Sequence, residues 1–118
     1  MKTILVVDDE WAIAEVLEAL LGDEGYRVIV ANNGKQGLER LGEWRPDLIM
    51  LDFMMPIMDG PATFALLKAN PATSSIPVIL MSSLPEETVA ERCAGYSAFL
   101  RKPFRIAAVL DAIDKALG

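Results

Sequence analysis

The chain has 118 residues and a formal net charge of −6, from 17 acidic and 11 basic residues. This length predicts one domain over residues 1–118, large enough to bury about two thirds of its unfolded surface. The acidic balance argues against direct nucleic-acid binding and against an anionic membrane surface, because phosphate binding requires clustered Lys and Arg. No apolar run approaches the roughly 20 residues of a membrane span.

Cysteine and histidine usage narrows the chemistry further. Cys93 is the single cysteine, so no internal disulfide can form, which fits a reducing compartment. The N-terminus shows no signal-peptide pattern, and we therefore expect a cytoplasmic protein. The absence of histidine removes Ser–His and Cys–His nucleophilic pairs and most zinc sites.

Five apolar stretches have the length and composition of β-strands. They are Thr3–Val7, Arg27–Ala31, Leu48–Leu51, Ile76–Met81 and Ala98–Leu100. The nearly unbroken apolar character of the first, third and fourth predicts strands buried on both faces of a parallel sheet. With a helix after each strand, the pattern predicts an α/β fold with strand order 2-1-3-4-5 and a crevice between strands one and three.

Stretches whose apolar residues recur at helical spacing lie between and after these strands. The predicted core faces of the first, third and last helices are Ile13, Val16, Leu17, Leu20 and Leu21; Ala62, Ala65, Leu66 and Ala69; and Ile106, Val109, Leu110, Ile113 and Leu117. The second helix passes Leu38 and Leu41 and reaches Trp44, before Pro46 blocks its continuation. The short fourth helix opens at residues 83–86, which have capping-box spacing.

Polar residues stand directly at the ends of four strands. Asp8 and Asp9 follow the first strand, Asp52 the third, Ser82 the fourth and Lys102 the fifth. Because the carboxyl ends of parallel strands meet at one edge, these side chains predict one site. Carboxylates this close raise each other's pKa unless a cation lies among them, and Mg²⁺ prefers such oxygen ligands. Helix capping is the alternative for the Asp8–Asp9 pair, but Asp52 on the adjacent strand favours a metal site.

A carboxylate beside Mg²⁺ is able to act as a nucleophile and become an aspartyl phosphate, which is the chemistry we expect at Asp52. Pro103 fixes a tight turn that aims Lys102 at the crevice, where its ammonium would pair with a carboxylate or a phosphoryl oxygen. The alternative for Lys102 is a solvated surface position. Ser82 offers a hydroxyl to a further phosphoryl oxygen, and its alternative is helix capping.

Four segments together resemble the response-regulator receiver domain of two-component signalling. They are Val6–Glu10, Asp52–Gly60, Pro77–Ser83 and Phe99–Phe104. Each segment is a weak signal alone, but the four in this order and at these separations are highly specific and span essentially the whole chain. The resemblance implies a flavodoxin-like (βα)₅ fold and a signal receiver rather than an enzyme.

The resemblance also implies roles for individual residues. Asp52 would accept a phosphoryl group from a histidine kinase or a histidine phosphotransfer protein. Asp9, Asp52 and the backbone carbonyl of Met54 would ligate Mg²⁺, with Asp8 acting mainly through a water. Small phosphodonors would also phosphorylate such a site, and the phosphate would be lost slowly.

Lys102 and Ser82 would hold the phosphoryl oxygens in this family. Ser82 and Phe99 match its hydroxyl and aromatic switch positions, so phosphorylation would shift the face formed by the fourth helix, the fifth strand and the last helix. That face would regulate a downstream output domain or target protein, and a phosphorylation-dependent homodimer is compatible with it. An ordinary core position is the alternative for Phe99.

Three features depart from the family pattern. Ser83 stands where a small apolar residue is usual. The stretch from Ser82 to Lys102 is slightly short, which predicts a trimmed fourth helix. Met54 and Leu84 occupy the two variable positions beside Asp52, and neither apolar side chain orients an attacking water, so we predict slow self-dephosphorylation.

Other classes of protein share parts of this pattern. A Mg²⁺-dependent phosphohydrolase of the haloacid-dehalogenase type also forms an aspartyl phosphate, but on the first strand, where Asp8 and Glu10 have the required spacing. That reading leaves the motif around Asp52 unexplained. A flavin-binding carrier of the same fold would need a Ser/Thr/Gly-rich loop after the first strand, and an inert scaffold would not need the acceptor residues.

Overall fold

A computed structural model describes all of residues 1–118. Its five strands are β1 (Thr3–Val7), β2 (Arg27–Ala31), β3 (Leu48–Asp52), β4 (Val78–Ser82) and β5 (Ala98–Arg101). They form one parallel sheet in the order β2-β1-β3-β4-β5, which confirms the predicted topology. β4 begins two residues later than predicted, because Pro77 has no N–H to donate to the ladder.

Five helices cover both faces of this sheet. They are α1 (Trp11–Asp23), α2 (Gly34–Arg40), α3 (Gly60–Ala69), α4 (Glu86–Arg92) and α5 (Ile106–Leu117). Alternate residues of the central strands contribute to two separate cores. One contains Leu5, Val7, Ile49, Leu51, Phe64, Leu67 and Val89, and the other contains Ile4, Val6, Leu48, Met50, Leu17, Leu21 and Ile113. None of the five helices is long and apolar enough to cross a membrane.

The predicted core face of α3 is wrong. Ala62, Ala65, Leu66 and Ala69 are all exposed, whereas Gly60, Thr63, Phe64 and Leu67 are buried. The observed rotation buries the larger Phe64 and Leu67 side chains, which remove more apolar surface from water than the alanines would. Gly60 also brings the start of the helix against the backbone of residues 52 and 53.

Smaller corrections concern the ends and edges of other helices. Val16 and Ile106 were predicted core residues, but they lie 59% and 57% exposed, at the margins of their helix faces. α2 ends at Arg40, and the chain reaches Trp44 through hydrogen-bonded turns instead. No capping box opens α4, since its N-cap, Pro85, has no side-chain acceptor.

Candidate functional site

The strand ends bring the predicted polar side chains to one edge of the sheet. Asp8, Asp52 and Ser82 are buried there, with 0%, 4% and 2% of their surfaces exposed. Lys102 follows β5, its backbone N–H donates a 2.8 Å hydrogen bond to the carbonyl of Ser82, and the bond to Pro103 is cis. The parallel ladder thus places residues from distant parts of the chain side by side.

Lys102 lies among three carboxylates. Its Nζ is 2.8 Å from Glu10 Oε1, 3.0 Å from Asp8 Oδ2 and 3.3 Å from Asp52 Oδ1. The lysine side chain is only 10% exposed, so it is not the solvated surface residue that was its alternative. These four side chains, Asp8, Glu10, Asp52 and Lys102, are called the acid site below.

Burial and charge shift the titration of two groups in the acid site. The pKa of Asp52 is raised to about 7. Burial is the main cause, the charge of Asp8 adds to the rise, and the ammonium of Lys102 opposes both. For Lys102, burial alone would lower the pKa, but its close contacts with the carboxylates of Glu10 and Asp8 and the charge of Asp52 outweigh this effect and raise the pKa above its usual value. Lys102 therefore stays charged at neutral pH, while metal-free Asp52 is only partly ionised.

The acid site fits a hard divalent cation. Asp8, Glu10 and Asp52 each offer a carboxylate oxygen, and these oxygens lie within 4.8 Å of one another. Asp8 Oδ2 is buried, and despite its ionic contact with Lys102 it accepts no hydrogen bond. A buried acceptor without a hydrogen bond beside two further carboxylates suits Mg²⁺, which prefers oxygen ligands.

Asp9, a predicted metal ligand, lies outside this group of oxygens. It is exposed and opens onto a cleft of about 510 Å³ beside the loop that follows β3. The cleft is lined by Asp9, Phe53, Met54, Met55, Pro56, Asp59, Leu84, Thr88, Glu91 and Arg92. Met54 and Leu84, the two variable positions of the sequence analysis, thus share one surface.

The loop between β3 and α3 is held by local hydrogen bonds. Asp59 caps α3, since its Oδ1 accepts a 2.9 Å hydrogen bond from the N–H of Ala62. The N–H of Gly60 donates to the carbonyl of Phe53 at 2.9 Å, and the N–H of Gly34 donates to that of Met58 at 3.2 Å. These contacts anchor the loop on both sides of Met54, whose carbonyl is the predicted third ligand.

Ser82 and Phe99 lie near each other in the sheet. The Oγ of Ser82 accepts a 3.0 Å hydrogen bond from the N–H of Leu84, so Ser82, and not Ser83, serves the turn before α4. Its own hydroxyl hydrogen stays available to donate. Phe99 pairs with Leu80 across β4 and β5 and is half-buried against the core.

Glu10 is the residue of the acid site to which the sequence assigned a role only in the phosphohydrolase alternative. It contacts Lys102 across a sequence separation of 92 residues. The only signal in the sequence was its place directly after Asp8 and Asp9, and this pattern equally describes an acidic helix start.

This fold and site define a flavodoxin-like α/β domain with an acidic pocket compatible with Mg²⁺ binding. A family model described as the response regulator receiver domain matches residues 4–114. The chain belongs to this family of two-component signalling domains.

Relatives and solved structures agree. The chain is 38% identical over 112 residues to Protein PilG of Pseudomonas aeruginosa, covering 93% of this chain and 83% of that protein. It is 41% identical over 118 residues to the transcriptional regulatory protein ZraR of Escherichia coli K12, but spans only 26% of that protein's length and 98% of its own. The receiver domain of sensor histidine kinase PA1611 from Pseudomonas aeruginosa PAO1, with a magnesium ion coordinated in the active site cleft, has a TM-score of 0.91 at 28% identity, covering 99% of this chain and 98% of that one.

Proposed function

We propose that Asp52 accepts a phosphoryl group from a phosphohistidine on a histidine kinase or phosphotransfer protein. The observation that carries this proposal is the contact between Asp52 and Lys102, whose atoms Oδ1 and Nζ lie 3.3 Å apart at the buried end of β3. A buried carboxylate beside a fixed ammonium and a second acid has both a nucleophilic oxygen and a partner for the charge that the phosphoryl group brings.

In this reaction a carboxylate oxygen of Asp52 attacks phosphorus, the new P–O bond forms, and the P–N bond to the donor imidazole breaks. Lys102 pairs with one phosphoryl oxygen, and the hydroxyl of Ser82 donates to another. Mg²⁺, when bound, would supply positive charge that offsets the charge of the phosphoryl oxygens. Asp9, Asp52 and the backbone carbonyl of Met54 would hold the cation, with Asp8 acting mainly through a water.

A groove beside the acid site suits the phosphodonor protein. It has a volume of about 290 Å³ and is lined by Ala12, Ile13, Val16, Lys102, Pro103 and Phe104. The exposed apolar side chains of Trp11 and Val16 lie on α1, which lines the groove, and exposed Ile106 begins α5 just after the segment that forms its other side. A partner helix packed there would bring its phosphohistidine towards Lys102 and Asp52.

The response to phosphorylation would pass through Ser82 and Phe99. Engagement of Ser82 by a phosphoryl oxygen would compete with its present bond to the N–H of Leu84, at the turn that leads into α4. Phe99 lies on the strand next to that turn. We therefore place the regulated surface on α4, β5 and α5, where an output domain or a separate target would bind.

The test is incubation with Mg²⁺ and acetyl phosphate, followed by intact mass measurement. We expect a gain of one phosphoryl group per chain, and its loss in Asp52→Asn and in the presence of a chelator. No gain in the parent chain would refute the proposal. Continuous turnover of p-nitrophenyl phosphate that survives Asp52→Asn would instead support the phosphohydrolase with its nucleophile on β1.

A further inference from the structure

Glu10 makes two contacts that tie it to the acid site. Its backbone N–H donates a 2.9 Å hydrogen bond to Asp8 Oδ1, and its side-chain Oε1 accepts a 2.8 Å hydrogen bond from Lys102 Nζ. The side chain is 56% exposed, so it stands at the rim, while Asp8 and Asp52 lie below it. Glu10 therefore connects the buried acids to the lysine from the solvent side.

The side chain of Glu10 does not cap the helix that it begins. Glu10 is the N-cap of α1, a position where a short polar side chain such as aspartate accepts a hydrogen bond from the first turn of the helix. No such bond forms here. The carboxylate binds Lys102 instead, and this choice points to a role in the acid site and not in helix capping.

Lys102 Nζ lies closer to Glu10 than to either buried acid. Asp8 Oδ2 accepts no hydrogen bond, although Lys102 Nζ lies 3.0 Å away, and Asp52 Oδ1 lies farther from that nitrogen, at 3.3 Å. An ammonium and a divalent cation compete for the same carboxylate oxygens. A lysine held closest to Glu10 opposes the metal less than a lysine that moves fully onto both buried acids.

We propose that Glu10 is a positioning residue that draws Lys102 towards its own carboxylate and thereby raises the affinity of Asp8 and Asp52 for Mg²⁺. The inference rests on the proposed function, because it deepens the assignment of the same site. Glu10 acts through Lys102 and needs no bond to the metal. The effect of Glu10 on Mg²⁺ affinity through Lys102 is therefore separable from the effect of removing one negative charge.

The test is calorimetric titration of the full chain with MgCl₂ alone, in the parent, Glu10→Gln and Glu10→Ala. Both variants lose the charge, but the glutamine amide oxygen still accepts from Lys102. We expect Glu10→Ala to bind Mg²⁺ roughly fivefold more weakly than Glu10→Gln, the size of a partly exposed charge-assisted hydrogen bond. Glu15→Ala removes an exposed acid from α1 outside the site and serves as the charge control.

A second comparison isolates the lysine. In a Lys102→Met background, Glu10→Gln and Glu10→Ala should bind Mg²⁺ equally, because the group that Glu10 positions is gone. Equal affinities of the two variants in the parent background would overturn the inference, as would a difference that persists without Lys102. Phosphorylation by acetyl phosphate is measured separately, so failure of Asp52 to accept phosphate is distinguishable from failure of Glu10 to position Lys102.

Discussion

The N–H of Gly60 donates a 2.9 Å hydrogen bond to the carbonyl of Phe53, and this bond brings the start of α3 against the end of β3. A Cβ at position 60 would meet the carbonyl oxygen of Asp52 at 2.5 Å and the Cα of Phe53 at 2.6 Å. Both are backbone atoms, so no rotamer change relieves the contact. The position of Asp52 thus depends on a residue without a side chain.

Gly60→Ala is expected to lower the free energy of unfolding by about 2 kcal/mol or more, because the backbone around Asp52 must shift. Urea denaturation measures this change, and acetyl phosphate labelling should also slow. Gly22→Ala is the matched control, since nothing lies within 4 Å of the added Cβ and alanine favours the helix by about 1 kcal/mol. Equal denaturation midpoints for Gly60→Ala and the parent would contradict this account.

Ile57 has a φ of 69°, in the left-handed region that β-branched residues avoid. Its side chain is 79% exposed, so little packing is lost when it is removed. Ile57→Gly should raise the free energy of unfolding by about 1 kcal/mol, less than the full strain because glycine also gains freedom in the unfolded chain.

Ile106 provides the comparison for that substitution. It is also an exposed isoleucine, but it begins α5, so Ile106→Gly should destabilise the protein by about 0.5 kcal/mol. The two variants are compared by denaturant midpoint. A loss of stability in both would show that the conformation of Ile57 carries no strain.

The raised pKa of Asp52 makes metal-free stability depend on pH. The folded chain favours the protonated carboxyl, whose pKa moves from 3.8 when unfolded to about 7. This contribution is therefore full below pH 3.8 and is lost as the pH rises to 7. Relative to Asp52→Asn, the parent should lose about 2 kcal/mol between pH 5 and pH 8, after allowance for solvent screening.

Denaturation in the presence of EDTA at several pH values measures this difference. Asp114→Asn, which removes an exposed acid on α5, is the charge control. Added Mg²⁺ should reduce the difference, because the cation favours the ionised carboxylate. Parallel pH profiles for the parent and Asp52→Asn would show that burial does not raise the pKa of Asp52.

Met54 and Leu84 line the cleft beside the acid site, and neither carries a group that orients an attacking water. The double variant Met54→Asn, Leu84→Glu should shorten the lifetime of the phosphorylated chain by about tenfold or more, since it introduces polar groups on both sides. The decay of the phosphorylated mass after removal of acetyl phosphate measures the lifetime. The apolar exchange Met54→Leu, Leu84→Met is the control, and a double variant that decays no faster than the parent would refute the argument.

The arrangement of Asp8, Asp52 and Lys102 could be predicted from the sequence. Asp8 and Asp52 follow or end apolar stretches whose composition identifies strands buried on both faces, and Lys102 follows the end of the fifth predicted strand. Once the strands are parallel, their carboxyl ends share one edge, and the residues at those ends become neighbours. The metal-ligand role of Asp9 stays a prediction, because its side chain lies outside the group of clustered oxygens.

The rotation of α3 could not be predicted in the same way. The alanine and leucine face at Ala62, Ala65 and Leu66 has as regular a helical spacing as the true core face at Phe64 and Leu67. The choice between them depends on the close approach of Gly60 to Phe53 and on the volume available beneath the helix. The spacing of apolar residues along the chain specifies neither the close approach of Gly60 nor the volume beneath the helix.

The sequence by itself determined the parallel sheet, its strand order and the edge that carries the acids, because alternation of apolar strands with helices leaves few ways to bury every strand. Only the tertiary structure decided which partner Lys102 binds. Its hydrogen bond goes to Glu10, 92 positions away in the chain, because β1 and β5 bring both residues to the same edge. A contact over that distance depends on side-chain directions that no local pattern specifies.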